Sequence, residues 1–181
     1  PVPGMTYLTS LDPSMGTGGD FAAIQVFELP SFEQVAEWQH NMTPMNQQVR
    51  VLQSINKHIH DSIMEKDSTA TPQVFYSMEN NTIGEAALMR VMDIGEENIV
   101  GMFLSEPIRK GHRRKFRRGF NTTAKHKIDA CTKFKELVES GKMRINSKLL
   151  ISELKDFVAT GMSYKAKPGQ HDDLVSSCLL M

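Results

Sequence analysis

The chain has 181 residues, its 21 Lys and Arg residues balance 21 Asp and Glu residues, and 40% of it is hydrophobic. This length predicts one domain with a substantial core. No apolar stretch approaches the roughly 20 residues of a membrane helix, and the N-terminal sequence is not that of a secretory signal. Cys131 and Cys178 lack the paired spacing of a zinc site, which favours buried free thiols in a reducing compartment.

The first third of the chain alternates strand and turn signals. Strands are predicted at residues 5–11, 21–29 and 32–42, with a turn rich in glycine over residues 12–20. This turn lacks the Lys-Ser/Thr ending of a Walker A sequence and does not lead into a helix, so we interpret it as a hairpin turn. Its loose similarity to the phosphate loop of actin-like ATPases leaves nucleotide binding as an alternative.

A long helix and a buried strand are predicted next. The helix starts at Pro44, and its apolar residues recur at spacings of three and four. These residues are Met45, Val49, Leu52, Ile55, Ile59 and Ile63. Residues 73–78 are nearly all apolar, which is typical of a strand covered on both faces. A short helix through residues 85–91 and a short strand at residues 99–103 follow.

The second half of the chain is predicted to be mainly helical. Residues 121–123 cap a helix that ends at Gly141, residues 143–145 form an edge strand, and Ser147 starts a further helix. Residues 157–164 extend as a strand before the last helix. Three antiparallel strands, then helices alternating with strands and a closing helix, are the order of an α/β fold with a ribonuclease H-like mixed sheet flanked by helices.

Acidic residues follow two of the predicted strands and open the last helix. Asp12 follows the first strand, Glu79 follows the fourth, and Asp172 and Asp173 begin the helix. If the first strand is central in the sheet, these carboxylates converge. Adjacent carboxylates raise each other's pKa unless a cation lies between them, and oxygen ligands suit Mg²⁺ or Mn²⁺. Alternatively, Asp172 only caps the last helix and Asp173 favours its dipole.

Two such ions, roughly 3.5–4 Å apart, would support in-line hydrolysis of a phosphodiester. In this hypothesis Asp12 bridges the ions, Glu79 holds one, and a helix-opening aspartate holds the other. Asp20, opposite Asp12 across the turn, is a candidate fourth carboxylate. His171 is a candidate to orient a carboxylate or to contact DNA, or is simply a neighbour of the helix cap.

The neutral net charge conceals one strongly basic segment. Nine Lys and Arg residues lie between Pro107 and Lys127 with no acidic residue among them, which leaves 12 basic and 21 acidic residues elsewhere. This concentration predicts a docking site for a polyanion, whereas a solvated charged loop is the alternative. The candidate DNA-binding residues are Arg109, Lys110, Arg113, Arg114, Lys115, Arg117, Arg118, Lys125 and Lys127.

Three motifs carry a family resemblance. They are Leu11-Asp12-Pro13-Ser14 with Gly16 and Asp20, Met78-Glu79-Asn80-Asn81, and Gly169-Gln170-His171-Asp172-Asp173-Leu174-Val175. Together they resemble the nuclease domain of large terminase subunits, the DNA-packaging motors of tailed bacteriophages, and most closely the T-even type. The resemblance covers essentially the whole chain. It implies a ribonuclease H-like fold and a Mg²⁺-bound triad of Asp12, Glu79 and one of Asp172 or Asp173.

The resemblance also implies an activity and its partners. The expected activity is a Mg²⁺-dependent endonuclease, with Mn²⁺ as a substitute, that cuts concatemeric double-stranded viral DNA with little sequence preference in the host cytoplasm. In the family an N-terminal ATPase motor precedes the nuclease, and the small terminase subunit and the capsid portal are further partners. No Walker A or Walker B candidate is present, so residues 1–181 are expected to be the C-terminal nuclease domain of a longer chain. A Holliday-junction resolvase or integrase-like nuclease and a non-catalytic DNA-gripping module are the alternatives.

Overall fold

The computed structural model describes residues 1–105, 119–161 and 163–181. Its strands are β1 (Thr6–Asp12), β2 (Ala22–Leu29), β3 (Glu33–His40), β4 (Gln73–Met78), β5 (Met102–Phe103), β6 (Phe157–Thr160) and β7 (Ser163–Ala166). Its helices are α1 (Met45–Lys66), α2 (Thr82–Ile94), α3 (Ala124–Glu139), α4 (Lys148–Asp156) and α5 (Asp173–Cys178). No helix in these ranges is long and apolar enough to cross a membrane.

The main sheet has the strand order β3-β2-β1-β4-β5, which confirms the predicted mixed sheet with the first strand at its centre. The central strand β1 pairs antiparallel with β2 and parallel with β4. In the parallel pair Leu11 lies opposite Met78, so the next residues, Asp12 and Glu79, leave the sheet at the same end. The strands β6 and β7 form a separate antiparallel hairpin.

Helices cover both faces of the sheet, and each face has its own core. Tyr7, Leu11 and Ile24 belong to the cluster that packs with α1 and α2. Ala23 and Phe27 belong to the cluster on the other face, with α3, α4 and α5. Successive strand residues point to opposite faces, so along β2 Ala23 and Phe27 face one cluster and Ile24 faces the other. This alternation is expected of a sheet that is covered on both faces.

The short helix α5 is tied to the central strands by buried hydroxyl groups. Ser177 Oγ lies 3.0 Å from Ser10 Oγ and donates to the Ser10 carbonyl oxygen at 3.0 Å. Ser77 Oγ on β4 donates to the Leu180 carbonyl oxygen at 2.7 Å. A helix of six residues is marginal alone, so these contacts fix where its N-terminal carboxylates lie.

Two predicted strands differ from the structure. At residues 143–145 there is no strand within the described residues but an isolated bridge between Arg144 and Glu33, which extends the edge of β3 by one pair. Residues 157–164 form most of the β6–β7 hairpin instead of one strand. The chain reverses at Gly161, whose φ of +61° is readily adopted only by glycine.

Two other elements have different bounds. The predicted strand at residues 99–103 is reduced to β5, since residues 99–101 form a bend in which Gly101 has a φ of +108°. The helix predicted at residues 85–91 is longer, because Asn81 caps it at Thr82. The Asn81 side-chain oxygen accepts hydrogen bonds from the N–H groups of Ile83 and Gly84.

The first turn of α2 packs directly on the strand end that carries Glu79. A Cβ atom added to Gly84 would lie 1.9 Å from the Glu79 carbonyl oxygen, a distance that requires the backbone to move. Glycine therefore permits the close approach of α2 to the end of β4.

We expect Gly84→Ala to lower the free energy of unfolding by about 1–3 kcal/mol, because the added methyl group overpacks the contact with Glu79. Chemical denaturation measures this. The control is Gly19→Ala, which adds its methyl group in open space without a left-handed backbone, and should change stability by less than about 0.5 kcal/mol. Equal stability of the two variants would contradict the packing argument.

Candidate active site

Asp12 and Glu79 are presented by the two parallel central strands. The Glu79 N–H donates to the Leu11 carbonyl oxygen at 3.4 Å, so the ladder between β1 and β4 continues to the site. On the other side of β4, Phe120 forms a parallel bridge with Glu79. The Phe120 N–H donates to Met78 O at 3.0 Å, and the Asn80 N–H donates to Phe120 O at 2.7 Å. The backbone of Glu79 is therefore held from both sides.

The aspartates that open α5 have different surroundings. Asp172 is 25% exposed, and its Oδ2 accepts a hydrogen bond from the Ala166 N–H at 3.0 Å and lies 3.9 Å from Lys127 Nζ. Asp173 is 13% exposed, and its buried Oδ2 has no hydrogen-bond partner among the described residues, although His171 Nδ1 lies 3.4 Å away. Asp173 thus has one oxygen available for another ligand.

These carboxylates influence one another electrostatically. Burial raises the pKa of Asp12 well above its usual range, and the charges of Glu79, Asp173 and Asp172 raise it further, while Lys127 lowers it. Burial also raises the pKa of Asp173; Asp20 and Asp172 add to that rise, and a Phe21 backbone hydrogen bond and His171 oppose it. Mutual repulsion of this kind is relieved by a cation.

As the side chains are placed, no three His, Cys, Asp or Glu residues of the described ranges form a group that could hold a metal ion. Two of the candidates are engaged by neighbours, since Glu79 accepts a hydrogen bond from the Asn81 side-chain amide and Asp172 accepts one from Ala166. The chemistry of the set nevertheless fits a hard divalent cation. It offers only oxygen ligands, mutually repelling charges, and the free Oδ2 of Asp173.

The other candidate acids and the histidine lie at the edge of this group. Asp20 is exposed, and its charge raises the pKa of Asp173. His171 packs edge-on against Phe21, with ring centroids 5.0 Å apart, and its Nδ1 faces Asp173. Asp172 is the residue at the start of α5, but its side chain makes no capping hydrogen bond in the described part of the chain.

Most of the candidate DNA-binding residues lie outside the described residues. These are Arg109, Lys110, Arg113, Arg114, Lys115, Arg117 and Arg118. Lys125 is exposed in the first turn of α3. Lys127 points to the acidic group instead: its Nζ lies 3.9 Å from Asp172 Oδ2 and 5.6 Å from the centre of the Phe157 ring. A cavity of about 520 Å³ beside α3 is lined by Asp12, Glu79 and Lys127.

Sequence reasoning missed Glu153 on α4. Its Oε2 accepts hydrogen bonds from the N–H groups of Leu174 at 2.9 Å and Val175 at 3.2 Å. Burial raises the pKa of Glu153 to about 7; the Val175 and Leu174 N–H groups oppose this rise, and the charges of Asp173 and Asp172 add to it. Its position three residues after the buried Leu150 was a signal, because that spacing places a carboxylate on the buried face of a helix.

The raised pKa of Glu153 makes stability depend on pH. Between about 4.5 and about 7 the folded state binds more protons at Glu153 than the unfolded state, so stability falls as pH rises through this window. The variant Glu153→Gln lacks this titration. In EDTA, we expect the stability difference between the variant and wild type to shift in favour of the variant from pH 5 to pH 8. The shift is on the order of 1 kcal/mol after discounting for solvent screening. Denaturation at both pH values measures it, and a constant difference would contradict the assignment.

Comparisons with known proteins agree with this architecture. The family model described as the terminase RNaseH-like domain matches residues 9–181. The large terminase nuclease from thermophilic phage G20c has a TM-score of 0.68 and 16% identity, over 98% of this chain and 81% of that chain. The human cytomegalovirus terminase nuclease domain has a TM-score of 0.65 and 12% identity, over 96% and 80% of the two chains.

The nuclease domain of Thermus phage P74-26 is also similar, with a TM-score of 0.61 and 18% identity over 97% of this chain and 77% of that chain. At these identities the structural similarity concerns the fold, and it confirms the predicted ribonuclease H-like architecture. The finer resemblance to the T-even type stays a prediction. Because the family model spans nearly all of its residues, the chain belongs to the terminase family and is its RNaseH-like domain.

Proposed function

We propose that this domain is a divalent-metal-dependent endonuclease that cuts concatemeric double-stranded DNA during viral genome packaging. The observation that carries the proposal is the convergence of four carboxylates, since Asp12 and Glu79 leave the sheet at one end and Asp172 and Asp173 lie at the start of α5. Burial, and then the charges of the other three carboxylates, raise the pKa of Asp12 well above its usual range. A partly buried acidic group of this kind disfavours its own charges and therefore favours a bound cation. Membership of the terminase family supports the substrate.

Asp12, Glu79 and Asp173 are the residues that we expect to hold the ion. Asp173 is preferred to Asp172 because it is less exposed and its Oδ2 accepts no hydrogen bond from the described residues, whereas Asp172 is bonded to Ala166. Mg²⁺ or Mn²⁺ suits these oxygen ligands. In support, the G20c nuclease has been solved with bound magnesium, and the cytomegalovirus domain was soaked with manganese.

A pair of such ions, held by Asp12, Glu79 and Asp173, would supply activation of a water and stabilisation of the leaving oxygen for an in-line phosphodiester displacement. The protein's part is to hold and orient. Asp12 and Glu79 are fixed by paired strands, and Glu79 is bridged on its other side by Phe120. Lys127 offsets part of the negative charge beside Asp172, at a cavity that Asp12 and Glu79 also line.

Contacts to DNA are the finer part of the proposal. Lys125, exposed at the start of α3, and the basic residues 109–118 supply cations for the phosphate backbone. Backbone contacts carry little base information, so weak sequence preference is expected. From the family we further propose that the domain works in the host cytoplasm as the C-terminal part of a longer chain. An ATPase motor, the small terminase subunit and the capsid portal would be its partners.

Asp12→Asn should reduce Mg²⁺- or Mn²⁺-dependent cleavage of plasmid DNA by more than the ~100-fold that supporting residues of metal sites account for. It removes a ligand charge at nearly constant shape. Because burial disfavours the Asp12 charge, the variant should melt at the same temperature as wild type or higher in EDTA. Gel assays and thermal melts measure both. A folded variant that still linearises plasmid would overturn the assignment.

The wild-type domain tests the competing functions in the same assay. The control variant is Asp67→Asn, which precedes β4 at the opposite end of the sheet and should cleave like wild type. Binding of DNA without metal-dependent cleavage would favour the non-catalytic gripping module. Preferred cleavage of four-way junctions over linear duplex would favour a resolvase.

Asp173→Asn and Asp172→Asn should have unequal effects. We expect the Asp173 variant to lose at least about tenfold more activity, because Asp173 is the more buried residue and keeps an oxygen free for a ligand. Cleavage rates at several Mn²⁺ concentrations measure the difference. The reverse order would assign the primary ligand to Asp172.

A further inference from the structure

We propose that Glu153 is a positioning residue of this active site, which caps α5 from a neighbouring helix and so holds the start of that helix, with the expected ligand Asp173 and its neighbour Asp172, at the carboxylate group. The inference rests on the proposed function. Glu153 lies on α4, outside the three motifs that carry the family resemblance.

At the start of α5, Glu153 accepts the hydrogen bonds that the side chain of Asp172 would usually accept. The first N–H groups of a helix have no partner within it, and the side chain of the preceding residue usually accepts from the second or third. In α5 these are Leu174 and Val175, and both donate to Glu153 Oε2. Asp172, which holds the capping position, makes no such bond within the described ranges.

The carboxylate of Asp172 is consequently directed elsewhere. Its Oδ2 meets the Ala166 N–H and lies near Lys127 Nζ, and its charge acts on Asp12. Asp is among the residues most favoured at the capping position. Without Glu153, the free N–H groups of Leu174 and Val175 would compete for the Asp172 side chain and draw it away from Asp12. Because Leu174 directly follows Asp173, the expected ligand would move with that rearrangement.

Glu153 is well placed for this role because α4 is itself firmly anchored. Gln34 Oε1 on β3 accepts hydrogen bonds from the N–H groups of Asn146 at 2.9 Å and Ser147 at 2.8 Å. Ser147 also caps α4 by accepting from the Leu150 N–H, and Leu150 is fully buried. A rigid supporting residue that orients metal ligands affects metal affinity without touching the metal.

The test measures Mn²⁺ binding to the domain by calorimetry, in parallel with cleavage at varied Mn²⁺ concentrations. Glu153→Ala removes the acceptor and should weaken Mn²⁺ binding at least about tenfold. The Mn²⁺ concentration for half-maximal cleavage should rise by a similar factor, and much of the rate should return at saturating Mn²⁺. Glu153→Gln keeps an oxygen that accepts from both N–H groups, so it should stay within about threefold of wild type.

Asp67→Ala is the matched control. Asp67 also accepts a hydrogen bond from a backbone N–H, that of Thr69 at 2.9 Å, but it precedes β4 at the end of the sheet opposite Asp12. Its loss should leave Mn²⁺ binding unchanged. If Glu153→Ala does not fold, Glu153→Met replaces it, since methionine fills similar space without an oxygen acceptor.

Two results would overturn the inference. The first is that the Ala or Met variant of Glu153 binds Mn²⁺ as tightly as Asp67→Ala does. The second is that Glu153→Gln loses as much Mn²⁺ affinity as Glu153→Ala, since the charge of Glu153 and not its capping hydrogen bonds would then be responsible. Failure of the proposed function is distinguishable. A wild-type domain that binds Mn²⁺ but cleaves no DNA would contradict the nuclease proposal. Calorimetry on the variants would still decide the role of Glu153 in Mn²⁺ binding. A wild-type domain that binds no Mn²⁺ overturns both.

Discussion

The parallel pairing of β1 with β4 is the constraint on which the rest of the structure depends. Its register sets Leu11 opposite Met78, so the next residue of each strand, Asp12 and Glu79, leaves the sheet at one shared end. A slip of one residue would turn every side chain of the slipped strand to the opposite face of the sheet and shift the two carboxylates relative to each other. Because β1 also pairs with β2 and β4 is bridged to Phe120, the register is fixed from both sides. The core and the site are therefore specified by the same hydrogen bonds.

The fold places several carboxyl groups at positions where burial disfavours their charged form. Burial raises the pKa of Asp12, Asp173 and Glu153, so each of these carboxyls weakens the folded state at neutral pH relative to a neutral group of the same shape. The two apolar clusters on the faces of the sheet, and the buried bonds between Ser177 and Ser10, offset this cost. Such a loss of stability is common where function requires a strained or charged site.

Sequence periodicity and strand ends were sufficient to predict much of the fold. The bounds of β4 are those predicted, because its residues form a nearly continuous apolar run. The helix α1 follows the predicted apolar spacing, because it buries one face along its length. The acids at Asp12 and Glu79 could be located because they terminate such runs. The role of Glu153 could not, since it depends on the contact of α4 with α5, two helices whose packing no local pattern specifies. The role of Lys127 could not be predicted either. The sequence assigns it to the basic segment, but only the fold shows that its charge lies beside Asp172.

The residues that flank the basic segment lie beside the candidate site. The Gly119 N–H donates to Ser105 Oγ at 3.1 Å, so these two residues, which border the segment in sequence, are in direct contact. This contact adjoins the site, because a Cβ atom added to Gly119 would lie 2.8 Å from Met78 O, and the next residue, Phe120, is bridged to Glu79. Seven of the nine candidate DNA-binding cations lie between these two residues in sequence. The DNA contacts proposed for these cations would therefore be made by a segment whose flanking residues, Ser105 and Gly119, lie beside the strand end that presents Glu79.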